Sequence, residues 1–174
     1  MQKLANFIPT YKDFPKKGIS FKDVLEIVQE PEIFRELIFE MSSNNIIKNS
    51  QAIVSIDARG FIFGSAIALQ SSKPMIFARK PGKLPGTVIT QSYNLEYGSA
   101  TLTMQKDAPV AGRSVLLIDD LLATGGTMVA AKSLLQGCGA IVSACVVILF
   151  SLSALVIRTR GSNTIVGSVA AWTA

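Results

Sequence analysis

Apolar side chains recur at intervals of three and four between residues 31 and 48, at Ile33, Phe34, Leu37, Ile38 and Met41. This spacing predicts one amphipathic helix, and Pro31 suits its first turn. Residues 61–70 are predicted to form a second helix. Short, continuous apolar runs at 52–56, 74–78 and 115–118 predict strands buried on both faces of a sheet. Because such strands alternate with helices, the chain is predicted to be α/β, with a mostly parallel sheet covered by helices on both faces.

Residues 87–105 alternate between polar and apolar or β-branched positions around the string YNLEYG. This alternation predicts a two-stranded arm. The preceding segment, RKPGKLPG at 79–86, is predicted to be a loop because its two prolines and two glycines disfavour regular structure.

Residues 133–157 carry no charge, and 140–157 are long enough to span a membrane. Gly137 and Gly139 interrupt the stretch as a helix end does, and the string AIVSACVVI that follows is rich in β-branched residues. We therefore expect a helix followed by a buried strand, and no membrane segment.

The composition limits the kinds of ligand and catalytic site that the chain can have. A length of 174 residues suits one domain with a sizeable core, and the formal charge of +5 without a dense basic run suits an anionic ligand better than nucleic acid. The absence of histidine excludes Ser-His-Asp hydrolysis and histidine-ligated zinc. Cys138 and Cys145 lack metal-ligand spacing, and the first residues lack a signal-peptide core, so we expect buried thiols and a cytoplasmic location.

The string VLLIDDLLATGGTM at 115–128 places two carboxylates after an apolar run and a Thr-Gly-Gly-Thr bend before a helix. Gly125 and Gly126 allow main-chain amides and a helix N-terminus to converge on one phosphate, and Thr124 and Thr127 can add hydroxyl donors. Asp119 and Asp120 would repel a phosphate, but they suit sugar hydroxyls or a Mg²⁺ ion with its waters. These features predict a site for a phosphorylated sugar. The alternative is ordinary turn and capping chemistry.

The form DDLLATGGT resembles the ribose-phosphate loop of type I phosphoribosyltransferases, and that of the adenine phosphoribosyltransferases in particular. The resemblance covers about residues 14–148. It implies a three-layer fold in one domain over 1–174, with a small N-terminal hood at 1–30 and a two-stranded lid arm. It also implies that 5-phosphate is bound by Ala123, Thr124, Gly125, Gly126 and Thr127.

The string DARGFIFG at 57–64 follows the first core strand, so its loop should emerge at the same sheet edge as Asp119. By itself an Arg beside a Gly is more often a surface turn. The resemblance implies that this loop binds pyrophosphate and that Arg59 neutralises charge on the departing group. The implied pyrophosphate contacts are Asp57, Ala58, Arg59, Arg79, Lys80 and Lys83, of which the last three could instead be a solvated basic loop.

The resemblance also implies the positions that handle the base. FPKKGISFKDV at 14–24 matches the adenine-binding hood, with Ser20, Phe21 and Lys22 as the contacts, although it could be a hydrophobic staple for the next helix. YNLEYG matches the lid, with Tyr97 at its tip and Glu96 as a candidate for proton handling at the purine. Tyr93 and Tyr97 could instead be strand-face aromatics.

The implied reaction joins adenine and phosphoribosyl pyrophosphate to give AMP and pyrophosphate, with Mg²⁺ carried by the substrate and contacting Asp119 and Asp120 through water. Family members are commonly homodimers, and neither nucleic acid nor membrane is an expected partner. Two alternatives keep the same sugar site. One is transfer to hypoxanthine, guanine, xanthine or orotate, which the hood and arm disfavour. The other is a regulator that senses phosphoribosyl pyrophosphate, for which no helix-turn-helix segment is visible.

The resemblance ends after Ile148. The family usually continues with a Glu and a Leu-Lys-Gly-Arg-like segment, whereas this chain continues with an atypical tail at 149–174 that is poor in charge. We hypothesise a frameshift or an altered gene end, which resequencing and intact-mass measurement would test. The implied substrate residues all precede this tail.

Overall fold

The structure is a computed structural model, and it describes residues 7–14, 16–95, 98–122, 125–150 and 164–167. The described strands are β1 Thr10–Lys12, β2 Ser20–Lys22, β3 Ala52–Ile56, β4 Met75–Ala78, β5 Val88–Leu95, β6 Gly98–Gln105, β7 Ser114–Leu122, β8 Ile141–Phe150 and β9 Thr164–Gly167. The described helices are α1 Glu26–Gln29, α2 Pro31–Ser43, α3 Asn45–Asn49, α4 Gly60–Gln70 and α5 Gly126–Gly137.

The central sheet has the strand order β4-β3-β7-β8-β9, and every neighbouring pair is parallel. Ile53 of β3 lies opposite Met75 on one side and Leu116 on the other. The predicted parallel sheet is therefore confirmed. Since parallel strands end at the same edge, the segments that follow β3, β4 and β7 meet there.

Two apolar layers cover the sheet. On one face, helices α1 to α4 bury Ile27, Leu37, Met41, Phe63 and Ile67 against strand residues such as Leu116 and Ile118. On the other face, α5 and the β5–β6 arm bury Met128, Leu134, Leu102 and Met104 against Val54 and Leu117. Successive residues of β3 and β7 alternate between these layers, which explains why their sequences are continuously apolar. The predicted three-layer architecture is confirmed.

Two predicted elements differ from the structure by more than one residue at an end. The helix predicted over 31–48 is two helices, because Asn44 is extended and its side chain accepts a hydrogen bond from the Ile46 amide at 2.9 Å, which caps α3. The strand predicted over 115–118 continues to Leu122, since β8 pairs with it as far as Leu122 opposite Phe150. Asp119 and Asp120 therefore lie within β7 rather than after it.

The uncharged stretch forms α5 and β8, as predicted, with Gly139 at φ +76° between them. None of the helices in the described ranges is both long and apolar enough to cross a membrane. Within the atypical tail, β9 adds a parallel strand beside β8, an element that the sequence pattern did not predict. Residues 151–163 and 168–174 of the tail lie outside the described residues.

The hood and the arm are both antiparallel hairpins. In the hood, Tyr11 of β1 lies opposite Phe21 of β2. In the arm, Val88 to Leu95 pair with Gln105 to Gly98, as the alternating pattern predicted. Main-chain hydrogen bonds between Arg79 and Thr103, at 2.8 and 2.7 Å, join the arm to the end of β4.

Gly64 allows α4 to pack directly on β3. A Cβ at this position would lie 2.5 Å from the Oγ and 2.7 Å from the Cβ of the buried Ser55. Gly64→Ala gains roughly 1 kcal/mol of helix propensity, but overpacking a core costs about 1–3 kcal/mol, and here the obstacle is a central strand. We expect the variant to lose roughly 1–2 kcal/mol in the free energy of unfolding, measured with urea.

The matched control is Leu69→Ala, at a position of α4 that is 84% exposed. This control should change the free energy of unfolding by less than about 0.5 kcal/mol. A Gly64→Ala variant as stable as the parent would contradict the packing argument.

Candidate active site

The carboxyl edge of the sheet brings together most of the residues that the sequence singled out. Asp57 and Arg59 follow β3, and Arg79 follows β4. Asp119 and Asp120 lie near the end of β7, which leads into the Gly125 bend. The site is therefore assembled by strand pairing from segments that are far apart in the chain.

Arg59 pairs with Asp120. The Nε to Oδ2 distance is 2.5 Å, and the Asp120 side chain is only 8% exposed. A carboxylate so far from water needs a counter-charge, which Arg59 supplies. The Arg59 guanidinium also lies 5.8 Å from the centre of the Phe21 ring, within cation–π range. Arg59 thus connects the hood to the acidic end of β7, a link that the separate motifs did not predict.

A second ion pair joins the segments after β3 and β4. Arg79 Nε lies 3.1 Å from Asp57 Oδ2, and an Arg79 terminal nitrogen donates to the Lys83 carbonyl at 3.2 Å. The Arg79 guanidinium also lies 5.6 Å from the centre of the Phe61 ring. Arg79 is therefore held from several sides, whereas the Lys80 and Lys83 side chains are exposed, as is Ala58.

The N-terminus of α4 lies directly against the end of β7. A Cβ at Gly60 would lie 3.0 Å from Asp119 Oδ1 and 3.1 Å from the Ile118 carbonyl oxygen. A Cβ here would require the Asp119 carboxylate or the β7 main chain to move by a few tenths of an ångström, so glycine at residue 60 favours this close approach. This role of Gly60 was not predicted from the sequence, although Gly60 is the last residue of the DARG string.

Asp119 is in an unfavourable place for a charge. Its Oδ1 accepts a hydrogen bond from the Asp120 amide at 2.9 Å. Burial, followed by the neighbouring charge of Asp120, nevertheless raises the pKa of Asp119 well above its usual range. Two adjacent carboxylates at a strand end destabilise the folded protein, which is typical of residues kept for binding or catalysis.

The Gly-Gly bend has the geometry that the sequence predicted. Gly125 has φ +84°, a left-handed conformation that favours glycine, and α5 begins at the next residue. The first amides of a helix have no acceptor within it and lie at the positive end of its dipole. Gly126 and Thr127 therefore present an anion-binding helix start. Ala123 and Thr124 lie outside the described residues, as do Glu96 and Tyr97 of the lid.

The hood contributes one aromatic side chain to this edge. Ser20, Phe21 and Lys22 form β2, and Phe21 packs edge-on against Phe14 with ring centres 5.2 Å apart. Phe21 is the one of the three with a described contact to Arg59. Ser20 is exposed and Lys22 is half-buried.

Metal ligands are few at this edge. Among the described residues, no group of three or more histidine, cysteine, aspartate or glutamate side chains is placed to hold a metal. Mg²⁺ usually binds through one or two carboxylates together with substrate phosphates and waters. Asp119 and Asp120 fit that limited role, but they do not form a complete protein cage.

The raised pKa of Asp119 predicts a pH dependence. A carboxyl with a raised folded pKa binds its proton more tightly in the folded than in the unfolded chain, so stability falls as the pH rises from the unfolded value towards the folded one. The penalty is then fully present above the folded pKa. Asp119→Asn cannot ionise, so its free energy of unfolding should exceed that of the parent by a margin that grows from about pH 3.5 to neutrality.

Urea unfolding of parent and variant across that pH range measures the margin. Asp107→Asn, an exposed residue in the turn after β6, is the control for loss of one carboxylate. A margin that stays constant with pH for Asp119→Asn would contradict the assignment.

Comparison with known proteins agrees with this geometry. The family model described as phosphoribosyl transferase domain matches residues 22–162, which extends past Ile148. An adenine phosphoribosyltransferase of Prochlorococcus marinus (strain AS9601) is 60% identical over 136 residues, covering 78% of this chain and 80% of the relative.

Two solved structures share the fold. The adenine phosphoribosyltransferase of Thermoanaerobacter pseudethanolicus is 36% identical with a TM-score of 0.81, over 86% of this chain and 87% of that one. That of Saccharomyces cerevisiae, complexed with adenine and an imino-altritol bisphosphate, is 34% identical with a TM-score of 0.81, over 86% and 88%. The chain therefore belongs to the phosphoribosyltransferase family, among the adenine phosphoribosyltransferases.

Proposed function

We propose that this protein transfers the phosphoribosyl group of phosphoribosyl pyrophosphate to adenine, forming AMP and pyrophosphate in purine salvage. The observation that carries the proposal is the arrangement at the sheet edge, where an anion-binding helix start follows a pair of aspartates that faces Arg59. The yeast relative, solved with adenine and a sugar bisphosphate analogue, supports the same ligand class.

The protein acts mainly by positioning. The amides of Gly126 and Thr127, with the Gly125 bend, hold the 5-phosphate at the positive end of α5. The family resemblance assigns Ala123 and Thr124 to the same phosphate contact. Asp119 and Asp120 accept hydrogen bonds from the ribose hydroxyls and so orient the sugar for attack by the base. Their negative charge also stabilises the positive charge that develops on an oxocarbenium-like sugar.

The leaving pyrophosphate is neutralised by the basic groups at the ends of β3 and β4. Arg59 and Arg79 are each held in place by an aspartate, at 2.5 and 3.1 Å respectively. Donors that are already oriented cost little reorganisation when charge develops on the leaving group. Asp57 thus positions Arg79, while the Ala58 main chain and the exposed Lys80 and Lys83 provide further contacts. The Arg59–Asp120 pair must loosen as pyrophosphate and ribose take up the two partners.

The two aspartates also fit a Mg²⁺ ion that arrives with the substrate, through bound water. The ion would supply charge neutralisation at the pyrophosphate. Asp119 and Asp120 would hold the ion through its waters.

The hood recognises the base. Phe21 offers an apolar face to the purine, while the main chain of Ser20, Phe21 and Lys22 can read its edge. Tyr97 closes the lid over the ligands and Glu96 assists proton handling at the purine. Both of these roles come from the family resemblance.

We further propose that the chain functions as a single domain, as a homodimer and in the cytoplasm. Exposed apolar side chains such as Phe39 and Phe77 support a subunit interface. Phe77 lies on β4, an edge strand of the central sheet.

The aspartate pair provides a direct test. Asp119→Asn combined with Asp120→Asn should lower turnover by orders of magnitude, because amides bind ribose hydroxyls without the charge that stabilises the transition state. Steady-state rates of AMP formation measure this. Asp107→Asn is the matched control and should keep the parental rate. Near-parental turnover in the double variant would refute the assigned role.

Base selectivity tests the reaction itself. Spectrophotometric assays with phosphoribosyl pyrophosphate and each of adenine, hypoxanthine, guanine, xanthine and orotate, with and without Mg²⁺, should give product only with adenine and strongly favour the Mg²⁺ samples. Preference for an oxopurine or for orotate would instead favour another member of the family. Binding of phosphoribosyl pyrophosphate without turnover of any base would favour a sensing role.

A further inference from the structure

Tyr93 makes the contact between the arm and the anion-binding bend. Its half-buried ring lies on β5 and packs against the apolar layer formed by α5 and the arm. The Thr127 side chain, in the first turn of α5, donates a hydrogen bond to the Tyr93 hydroxyl over 3.4 Å. A tyrosine hydroxyl therefore lies beside the helix start to which the 5-phosphate is assigned.

The direction of this hydrogen bond leaves the hydroxyl hydrogen of Tyr93 available to donate. Because the Tyr93 oxygen accepts from Thr127, its own O–H can donate to a further acceptor, since a phenol can do both at once. The amides of Gly126 and Thr127 belong to the first turn of α5 and have no acceptor within the helix. An anionic oxygen held by those amides would lie near two hydroxyls, one from the first turn of α5 and one from the arm.

We infer that Tyr93 is a further ligand of the 5-phosphate, donating its hydroxyl to a phosphate oxygen beside Thr127. This inference rests on the proposed function, because it takes the Gly125–Thr127 bend as the phosphate site. The packed ring fixes the hydroxyl in advance, so little freedom is lost on binding. The same contact makes the position of the arm sensitive to phosphate.

If the Tyr93 ring only fills space, a different effect of removing its hydroxyl is expected. Tyr93→Phe keeps the ring and its apolar contacts, and removes only the hydroxyl. If packing were the whole role, the variant would bind ligands as the parent does. A hydrogen bond to a charged group, by contrast, is strong enough that its loss is measurable.

Calorimetric titration with two ligands tests the inference. AMP carries the 5-phosphate, whereas inorganic pyrophosphate does not. Tyr93→Phe should weaken AMP binding about tenfold and leave pyrophosphate binding within about twofold of the parent. Ser92→Ala is the matched control, because it removes the neighbouring β5 hydroxyl, which pairs with Thr101 at 3.0 Å; it should leave both affinities unchanged.

Each outcome of these titrations has a different interpretation. Parental AMP affinity in Tyr93→Phe, or an equal loss for both ligands, would overturn the role of Tyr93. A parent protein that binds neither ligand would overturn the proposed function, and the inference with it. Selective loss of AMP affinity supports both.

Discussion

Parallel pairing of β7 with β3 on one side and β8 on the other is the constraint on which the site depends. Ala52 lies opposite Val115, and the register continues to Ser55 opposite Ile118. This alignment brings the residues after β3 to the level of Asp119 and Asp120. A one-residue shift of β3 against β7 would turn the side chains of the shifted strand to the opposite face and separate Arg59 from Asp120.

Charge is concentrated where that alignment ends. Two adjacent carboxylates at a buried strand end destabilise the folded protein unless their negative charges are compensated. The pKa of Asp119 is raised, which shows that burial and the charge of Asp120 are not fully compensated. The structure compensates locally, through Arg59 at Asp120 and through the absence of a side chain at Gly60. The pairs also keep both arginines oriented before substrate arrives. The buried carboxylates thus lower the stability of the folded protein at the place where the proposed function needs fixed charges to bind substrate.

Within the described ranges, the hood and the arm each place an aromatic side chain at the same edge. Phe21 contacts the Arg59 guanidinium and Tyr93 contacts Thr127. In each case a side chain from a small hairpin touches a residue assigned to the sugar diphosphate. In the proposed function each hairpin would therefore respond to the ligand bound at the sheet edge, as elements that complete a site around substrate do.

The local patterns in the sequence determined a large part of this protein. Apolar runs predicted β3 and the first part of β7, alternation predicted the β5–β6 arm, and the glycines predicted the bend at Gly125 and the end of α5. These features depend on neighbours in the chain, so the chain itself carries their signal. The DARG and DDLLATGGT strings likewise indicated which residues would collect at one sheet edge.

Tertiary structure decided the features that depend on distant partners. β7 continues through two charged residues because β8 supplies main-chain hydrogen bonds, and β9 forms in a segment without a clear pattern because β8 offers it an open edge. The Arg59–Asp120 pair, the glycine at residue 60 and the Tyr93–Thr127 contact join residues 34 to 61 positions apart. A periodic pattern records what each residue buries but not which residue it meets, so only the folded chain could decide these contacts.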